Sequence, residues 1–246
     1  MEIVGNLSTD WLWLILCAVF IGMSKTGLGG LGMLVVPIMA SVFGAKESTG
    51  IVLPMLIMAD FFGVGYYHRH ADMRQLLRLV PSTVMGVLVA IWIGDMINPD
   101  QFRFLLAVII ILGSTLMVFN FRNPNFIKPN RMTAVIAGFF GGFTTMIGNA
   151  AGPVMSVYFL AMGFEKNKFI GTAAWFFLLV NLFKVPFHIW VWDTITWDTI
   201  QLDLWVFPAI VLGAFAGFRI TRLIPERPYR VFIIVGILLA AVKLFF

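Results

Sequence analysis

Long runs of apolar residues dominate the chain, and short polar segments separate them. Eight apolar blocks can be delimited, at 9–43, 49–67, 76–94, 101–120, 132–163, 168–192, 203–221 and 229–246. Six of them have about the 20 residues that a helix needs to cross a bilayer. The other two, 9–43 and 132–163, are longer, and glycine and polar residues interrupt each of them near its centre. The pattern therefore predicts an all-α polytopic membrane protein with two broken segments.

The two broken blocks begin two similar halves of the chain. The segment 22-GMSKTGLGGLG-32 matches 142-GFTTMIGNAAG-152 at an offset of 120 positions. Further matches along the two halves are Asp60 with Asn181 (offset 121), and Pro81 with Pro208, Gly86 with Gly213 and 103–112 with 230–239 (all offset 127). A duplication of this length is typical of transporters. It predicts an N-terminal repeat over 1–120, a linker over 121–131 and a C-terminal repeat over 132–246.

The charges of the connecting segments predict how the two repeats are oriented. Lys and Arg are in excess in 68–78, 121–131, 164–168 and 219–230, whereas the N-terminus, 44–48, 95–100 and 189–203 are neutral or acidic. All four basic segments lie in the cytoplasm, as the positive-inside rule requires, only if each broken block enters and leaves on the same side. We therefore expect inverted repeats, each a glycine-broken hairpin plus three transmembrane helices, with both termini external. Re-entrant half-helices and short full crossings both give this topology.

Composition agrees with this class and excludes several others. Apolar residues make up 60% of the chain and charged residues 12%, about half the usual share of a soluble domain. The formal net charge of +5 is explained by cytoplasmic loops, so we expect a lipid bilayer and no nucleic acid as partner. A single cysteine, Cys17, excludes an internal disulfide, and the three histidines lack metal-ligand spacing. We expect no metal and no cofactor.

The two interruptions carry the residues expected to bind a ligand. Irregular backbone at membrane depth is tolerated only where protein or a water-filled cavity satisfies it, and a break leaves free N–H groups at the start of the next helix. If both tips meet near the midplane, they form a donor-rich, cationic cavity that suits a small anion. The candidate substrate-binding residues are Ser24, Lys25, Thr26, Gly27, Gly29, Gly30, Thr144, Thr145, Gly148, Asn149 and Ala150.

Three further polar residues lie inside apolar blocks and are candidates for coupling or gating: Asp60, Asn181 and Lys184. Charged residues within a membrane are costly and mark function by default. Asp60 is expected to act as a proton carrier or as a counter-ion to Lys25 or Lys184, the alternative being a solvated position near the cytoplasm. Lys184 precedes Pro186, so a structural role at a kink competes with substrate contact.

The first motif and its weaker copy, together with 163-GFEKNKFIGTAA-174, resemble the TauE/SafE family of sulfite exporters. The resemblance spans nearly the whole chain. It implies a multi-pass permease of the bacterial inner membrane with a duplicated domain, which moves sulfur-containing oxyanions such as sulfite or organosulfonates. Lys25 and Thr26 stand where many relatives carry small apolar residues, which favours an anion site in this chain.

The sequence predicts a secondary transporter for a small anion, working by alternating access around a midplane site, and the resemblance implies an exporter of a sulfur-containing anion. The alternatives are a transporter or channel for a carboxylate or another inorganic anion. We expect no enzyme, because Asp60 is the only acid expected to be deeply buried and the histidines are expected near the interfaces. The particular anion, the direction, the coupling proton or ion and the oligomeric state stay open.

Overall fold

A computed structural model describes residues 9–123, 126–128, 130–225 and 228, which form nine α-helices and no strand. The helices are α1 Thr9–Lys25, α2 Gly32–Phe43, α3 Glu47–Tyr67, α4 Met73–Met96, α5 Pro99–Arg122, α6 Arg131–Gly148, α7 Gly152–Ala161, α8 Lys166–Trp190 and α9 Trp197–Leu223. Two 3₁₀ turns lie at Gly29–Leu31 and His68–His70. The all-α prediction is confirmed.

Five of the helices, α3, α4, α5, α8 and α9, are long and apolar enough to cross a membrane. They correspond to five of the six blocks expected to cross once. The sixth block, 229–246, lies outside the described residues, as does the C-terminus expected to be external. Helix α9 begins six residues before its block, because Thr196 and Thr199 form a capping box there.

The two long blocks are each broken into a pair of helices, as the sequence predicts. Helices α1 and α2 have 17 and 12 residues, and α6 and α7 have 18 and 10. At 1.5 Å per residue, α7 rises only about 15 Å, roughly half the thickness of the hydrocarbon core. The second arm of each pair is therefore too short to cross a bilayer by itself.

Burial separates central helices from peripheral ones. The apolar windows of α3 and α8 are 61% and 56% buried, whereas those of α4 and α9 are each 33% buried. The outer faces of the peripheral helices present large apolar side chains such as Trp92, Phe104 and Leu212, each about two-thirds exposed. Water would not solvate such a surface well, but lipid does. Helices α3 and α8 therefore form the centre, which is where polar residues can be sheltered from lipid.

Two close helix crossings hold the periphery together, α1 against α9 and α4 against α6. In the first, a Cβ atom at Gly22 or Gly213 would overlap backbone carbonyl oxygens of the facing helix. In the second, a Cβ atom at Gly86 or Gly142 would do the same. Each crossing therefore depends on a glycine from both helices, which lets the two backbones touch. The glycines matched in the two halves of the sequence, Gly22 with Gly142 and Gly86 with Gly213, occupy corresponding places in the two crossings.

Asp72 joins the start of α4 to the start of α8. Its carboxylate caps α4 by accepting from the Gln75 amide, and it pairs with the Lys168 ammonium at 2.8 Å. Its own amide donates to Thr172 Oγ1 at 2.9 Å. The hydrogen bond from Lys168 holds the pKa of Asp72 below its ordinary value. These contacts stabilise the fold above the ordinary pKa of an aspartate and are lost as the pH falls through the lowered one.

The glycine crossings predict which small substitutions the bundle tolerates. We expect Gly86→Ala and Gly142→Ala each to lower the stability of the purified protein by about 1–3 kcal/mol, because the added methyl group meets backbone that cannot shift easily. Gly65→Ala is the matched control: Gly65 is also helical, but a Cβ atom there meets nothing within 4 Å. The apparent melting temperature in detergent measures both. Equal melting temperatures of all three variants would contradict the conclusion that these crossings depend on glycine.

Candidate functional site

The first break lies between α1 and α2. Helix α1 ends at Lys25, Gly27 follows with a φ of 133°, and the 3₁₀ turn Gly29–Leu31 leads into α2. A φ in this range is accessible to glycine and strained for other residues. The turn uses several backbone N–H groups that the sequence analysis expected to be free: the amide of Gly32, for example, donates to Gly29 O and Gly30 O. That expectation was wrong in part, and Lys25 supplies the main donor of this tip.

The second break, between α6 and α7, is a left-handed helix cap. Asn149 has a φ of 54°, and its amide and that of Ala150 donate to Thr145 O and Thr144 O. The cap satisfies the last carbonyls of α6 and turns the chain towards α7. It also fixes the Asn149 side chain, whose amide nitrogen donates to the Thr49 carbonyl at the start of α3 (3.2 Å). This tip presents neutral polar groups and no charge.

Both tips lie on the wall of one cavity of about 90 Å³. A single water needs roughly 10–15 Å³ by a comparable measure, so a small solute has room. The polar side chains on the wall are Ser24, Lys25, Thr145, Asn149, Ser156 and Asn181. The remaining wall is apolar and includes Met33, Leu56, Met155, Phe159, Phe169 and Phe177. A small anion with an apolar portion fits these surroundings chemically.

Lys25 is the charged group on the cavity wall. Its ammonium lies 2.8 Å from Asp60 Oδ1 and 4.3 Å from the centre of the Phe177 ring. The Lys25 side chain is 10% exposed and that of Asp60 is completely buried. Asp60 Oδ2 accepts from Asn181 Nδ2 at 2.7 Å. Of the alternatives open for Asp60, the geometry is that of a counter-ion to Lys25, and Asp60 itself does not line the cavity.

Lys184 is buried and serves the second tip. Its ammonium donates to Thr145 O (2.9 Å), Thr145 Oγ1 (3.1 Å) and Asn149 Oδ1 (2.6 Å). These three bonds use all three of its donors, and Lys184 does not line the cavity. Between the two alternatives for this residue, the contacts are those of a structural role, since they tie α8 to the α6–α7 break.

Several residues proposed from the sequence shape the tips without facing the cavity. The hydroxyls of Thr26 and Thr144 donate to carbonyls of their own helices, Gly22 O and Phe140 O. A Cβ atom at Gly148 would overlap the side chain of Leu106, while Ala150 and Gly30 are buried. The structure thus places Ser24, Lys25, Gly27, Gly29, Thr145, Asn149 and Asn181 on the cavity wall and the remaining candidates behind it.

Sequence reasoning missed the wall that α8 contributes. Besides Asn181, which was a candidate from the sequence, this helix contributes Phe169, Ile170, Ala173, Ala174 and Phe177 to the cavity wall. Positions 170, 174, 177 and 181 are three or four residues apart, which is the spacing of one face of a helix. The small residues in the segment 170–174 were the available signal. Without knowing that α3 and α8 are central, that face could not be distinguished from any other apolar face.

One further expectation about buried groups was wrong. Asp203, counted with the acidic segment 189–203, is completely buried in α9, so Asp60 is not the only deeply buried acid. No described residue bonds to either carboxylate oxygen of Asp203. His188, expected near the outer interface, lies in the last turn of α8 and is completely buried by its neighbours, with Nδ1 2.8 Å from Thr194 Oγ1 and its ring against Trp192. The hydrogen bond to Thr194 and the packing against Trp192 are the contacts of a residue with a structural role.

These features define a polytopic α-helical membrane protein with a cationic cavity between two broken helix pairs. The family model for the sulfite exporter TauE/SafE matches residues 14–244, nearly the whole chain. The chain therefore belongs to this family of membrane transporters, as its motifs indicate. No curated protein and no solved structure matches it significantly.

The contacts of Lys184 predict a loss of stability when it is truncated. We expect Lys184→Ala to lower the stability by at least about 2 kcal/mol, because Thr145 O and Asn149 Oδ1 lose a buried donor and each unpaired group costs about 1–3 kcal/mol. Lys168→Ala is the control: Lys168 is 45% exposed in its pair with Asp72, and such a pair contributes at most about 1 kcal/mol. The apparent melting temperature without added anion is the measurement. Wild-type melting of Lys184→Ala would show that the second tip does not depend on this residue.

Proposed function

We propose that this protein is a secondary transporter that carries a small sulfur-containing anion, such as sulfite or a sulfonate, through the cavity between the two helix breaks. The observation that carries the proposal is the Lys25 ammonium on the cavity wall, held by Asp60 from behind. An anion in the cavity would meet this cation together with Ser24, Thr145, Asn149 and Asn181. The apolar and aromatic remainder of the wall suits the carbon portion of an organic sulfonate.

The arrangement supports inverted repeats over 1–120 and 132–246 joined by the linker 121–131. Helices α1, α2, α3 and α4 follow the same order of lengths and breaks as α6, α7, α8 and α9. The two glycine crossings pair the first helix of each repeat with the fourth helix of the other. A two-fold relation between the repeats produces such reciprocal packing.

The cavity extends towards one end of the bundle and is closed at the other, which fits a carrier. The α8 face that lines the cavity runs from Asn181 to Phe169, towards the end of α8 that follows the basic segment 164–168. We place this end in the bacterial cytoplasm, with the chain in the inner membrane, both termini outside and export as the direction. Towards the opposite side, the bonds of Lys184 and Asn149 join α3, α8 and the second break. A carrier needs such a closed side, and a channel does not.

Asp60 gives a route for coupling to protons. Lys25 and Asp60 form a neutral pair, so an incoming anion adds a negative charge beside a buried carboxylate. Burial of an unpaired charge costs several kcal/mol. Protonation of Asp60 would remove that cost and free Lys25 for the anion, while Asn181 retains its hydrogen bond to the protonated acid. The anion and the proton then cross together, so net export requires an outward anion gradient that exceeds the inward proton gradient. Asp60, Asn181 and Lys25 then act as the coupling group, with Lys184 holding the second tip in place.

Removal of the Lys25 charge tests the site. We expect Lys25→Gln to reduce sulfite flux in proteoliposomes by about 100-fold or more, since leaving a buried anion without its partner costs about 3–5 kcal/mol. Lys128→Gln makes the same charge change at an exposed position of the linker and should keep wild-type flux. Undiminished flux through Lys25→Gln, in protein that melts normally, would remove Lys25 from the site.

Neutralisation of Asp60 separates coupling from binding. Asp60→Asn resembles the protonated acid but cannot release a proton. We therefore expect exchange of labelled substrate between equal concentrations to continue, while accumulation driven by a pH gradient disappears. Proteoliposomes with and without an imposed gradient measure both. The matched control is Asp72→Asn, an acid outside the cavity, which should retain gradient-driven accumulation. Retained accumulation in Asp60→Asn would exclude this residue as the proton carrier.

A further inference from the structure

A second pocket, open to the surface, lies where α3 and α9 end and α8 begins. Its volume is about 340 Å³, and its wall consists of Tyr66, Tyr67, His70, Lys166, Asn167, Thr221 and Arg222. None of these residues lines the central cavity. The wall contains two side chains that are cationic at neutral pH, two phenols, an imidazole and an amide, and it contains no carboxylate.

Neither cation of this pocket is neutralised by an acid among its described contacts. The Lys166 ammonium donates to the carbonyls of Thr221 (2.9 Å) and Ile224 (3.0 Å) at the end of α9. Arg222 donates to the Tyr66 hydroxyl through Nε (2.9 Å) and one terminal nitrogen. Lys166 thus keeps one N–H group, and Arg222 keeps others, that these bonds do not use. The two ion pairs found within the described residues involve Lys25 and Lys168 instead.

Only a thin wall separates this pocket from the central cavity. Thr221 lines the pocket, and Gly27 lines the central cavity. The two residues touch, since a Cβ atom at Gly27 would overlap the Thr221 hydroxyl. Thr221 is completely buried, and no described residue forms a hydrogen bond with its hydroxyl. A buried hydroxyl without a hydrogen-bond partner lowers the stability of the protein. Because the Thr221 hydroxyl lies between the pocket and the central cavity, a ligand that passes between them could supply the missing hydrogen bond.

We propose that this pocket is a second oxyanion site, in which Arg222 and Lys166 hold the anion before it passes Thr221 and Gly27 to reach Lys25. The proposal rests on the proposed transport function and adds a docking step to it. A guanidinium presents two parallel N–H groups to two oxygens of a sulfite, sulfonate or carboxylate group. Tyr66 already holds the Arg222 side chain and so orients its remaining donors. A phosphate of an anionic lipid has the same chemistry and is distinguished below.

The test uses the full chain, with sulfite as the probe, in membrane vesicles of each orientation. We expect Arg222→Gln to raise the KM for sulfite presented from the pocket side about tenfold, the effect of losing a hydrogen bond to a charged group, with little change in kcat. From the opposite side, the KM should stay at the wild-type value. Arg219→Gln is the matched control, because Arg219 is exposed on the same helix three residues away and does not line the pocket. Wild-type KM values for Arg222→Gln from both sides would overturn the proposal.

Thr221→Val gives an independent test that does not depend on folding. The hydroxyl has no partner to lose, so the variant should melt like the wild type while its KM from the pocket side rises. An unchanged KM in this variant would remove Thr221 from the path and overturn the proposed route.

Vesicle composition separates the two sources of the anion. A defect of Arg222→Gln that is present in purely phosphatidylcholine vesicles supports docking of the transported anion. A defect that appears only when phosphatidylglycerol is added would assign the pocket to a lipid phosphate and overturn the docking step. Failure of transport itself is distinguishable, because sulfite would then fail to cross through wild-type protein or would cross unimpeded through Lys25→Gln.

Discussion

The ion pair between Lys25 and Asp60 is the interaction around which the central cavity is arranged. Two charges removed from water lose several kcal/mol of hydration each, and only close contact with additional hydrogen bonds offsets that loss. Asp60 meets this condition with Lys25 on one oxygen and Asn181 on the other. The three residues come from α1, α3 and α8, so the pair fixes the end of the first broken helix against both central helices.

The pair also determines which charge the cavity presents. Asp60 is completely enclosed, while the Lys25 side chain retains a small exposed fraction on the cavity wall. A solute in the cavity therefore meets the cation, with the carboxylate behind it. The second break is different, because Lys184 directs its ammonium into the oxygens of Thr145 and Asn149 and leaves only neutral groups on the wall. The two proposed repeats thus contribute unequally: the first supplies the charge, and the second supplies a rigid polar surface opposite it.

Much of the fold was accessible from the sequence, because lipid imposes a strict rule on apolar length. The blocks, the two breaks and the polar residues that the breaks bring to the cavity follow from hydropathy and glycine placement. The start of α9 and the burial of Asp203 could not be predicted in this way, since an acid near the end of an apolar run is typical of a loop. The 3₁₀ turn at Gly29–Leu31 was also missed, because glycine permits many turns and specifies none. The α8 wall required knowledge of which helices are central, and that is a property of packing.

The crosswise packing changes what can move if the protein works by alternating access. Rocking of one sequence repeat against the other would have to separate α1 from α9 and α4 from α6. At those crossings backbone touches backbone through glycine, so sliding would bring side chains into direct overlap. The units that can move as rigid bodies are therefore α1 with α9 and α4 with α6, each containing a helix from both repeats. The polar contacts that would have to change lie between such units and the central helices, and they include the bond of Lys25 to Asp60. If an anion binds Lys25 as proposed, it would weaken that bond directly, and occupancy of the cavity would then be linked to the motion of the α1–α9 unit.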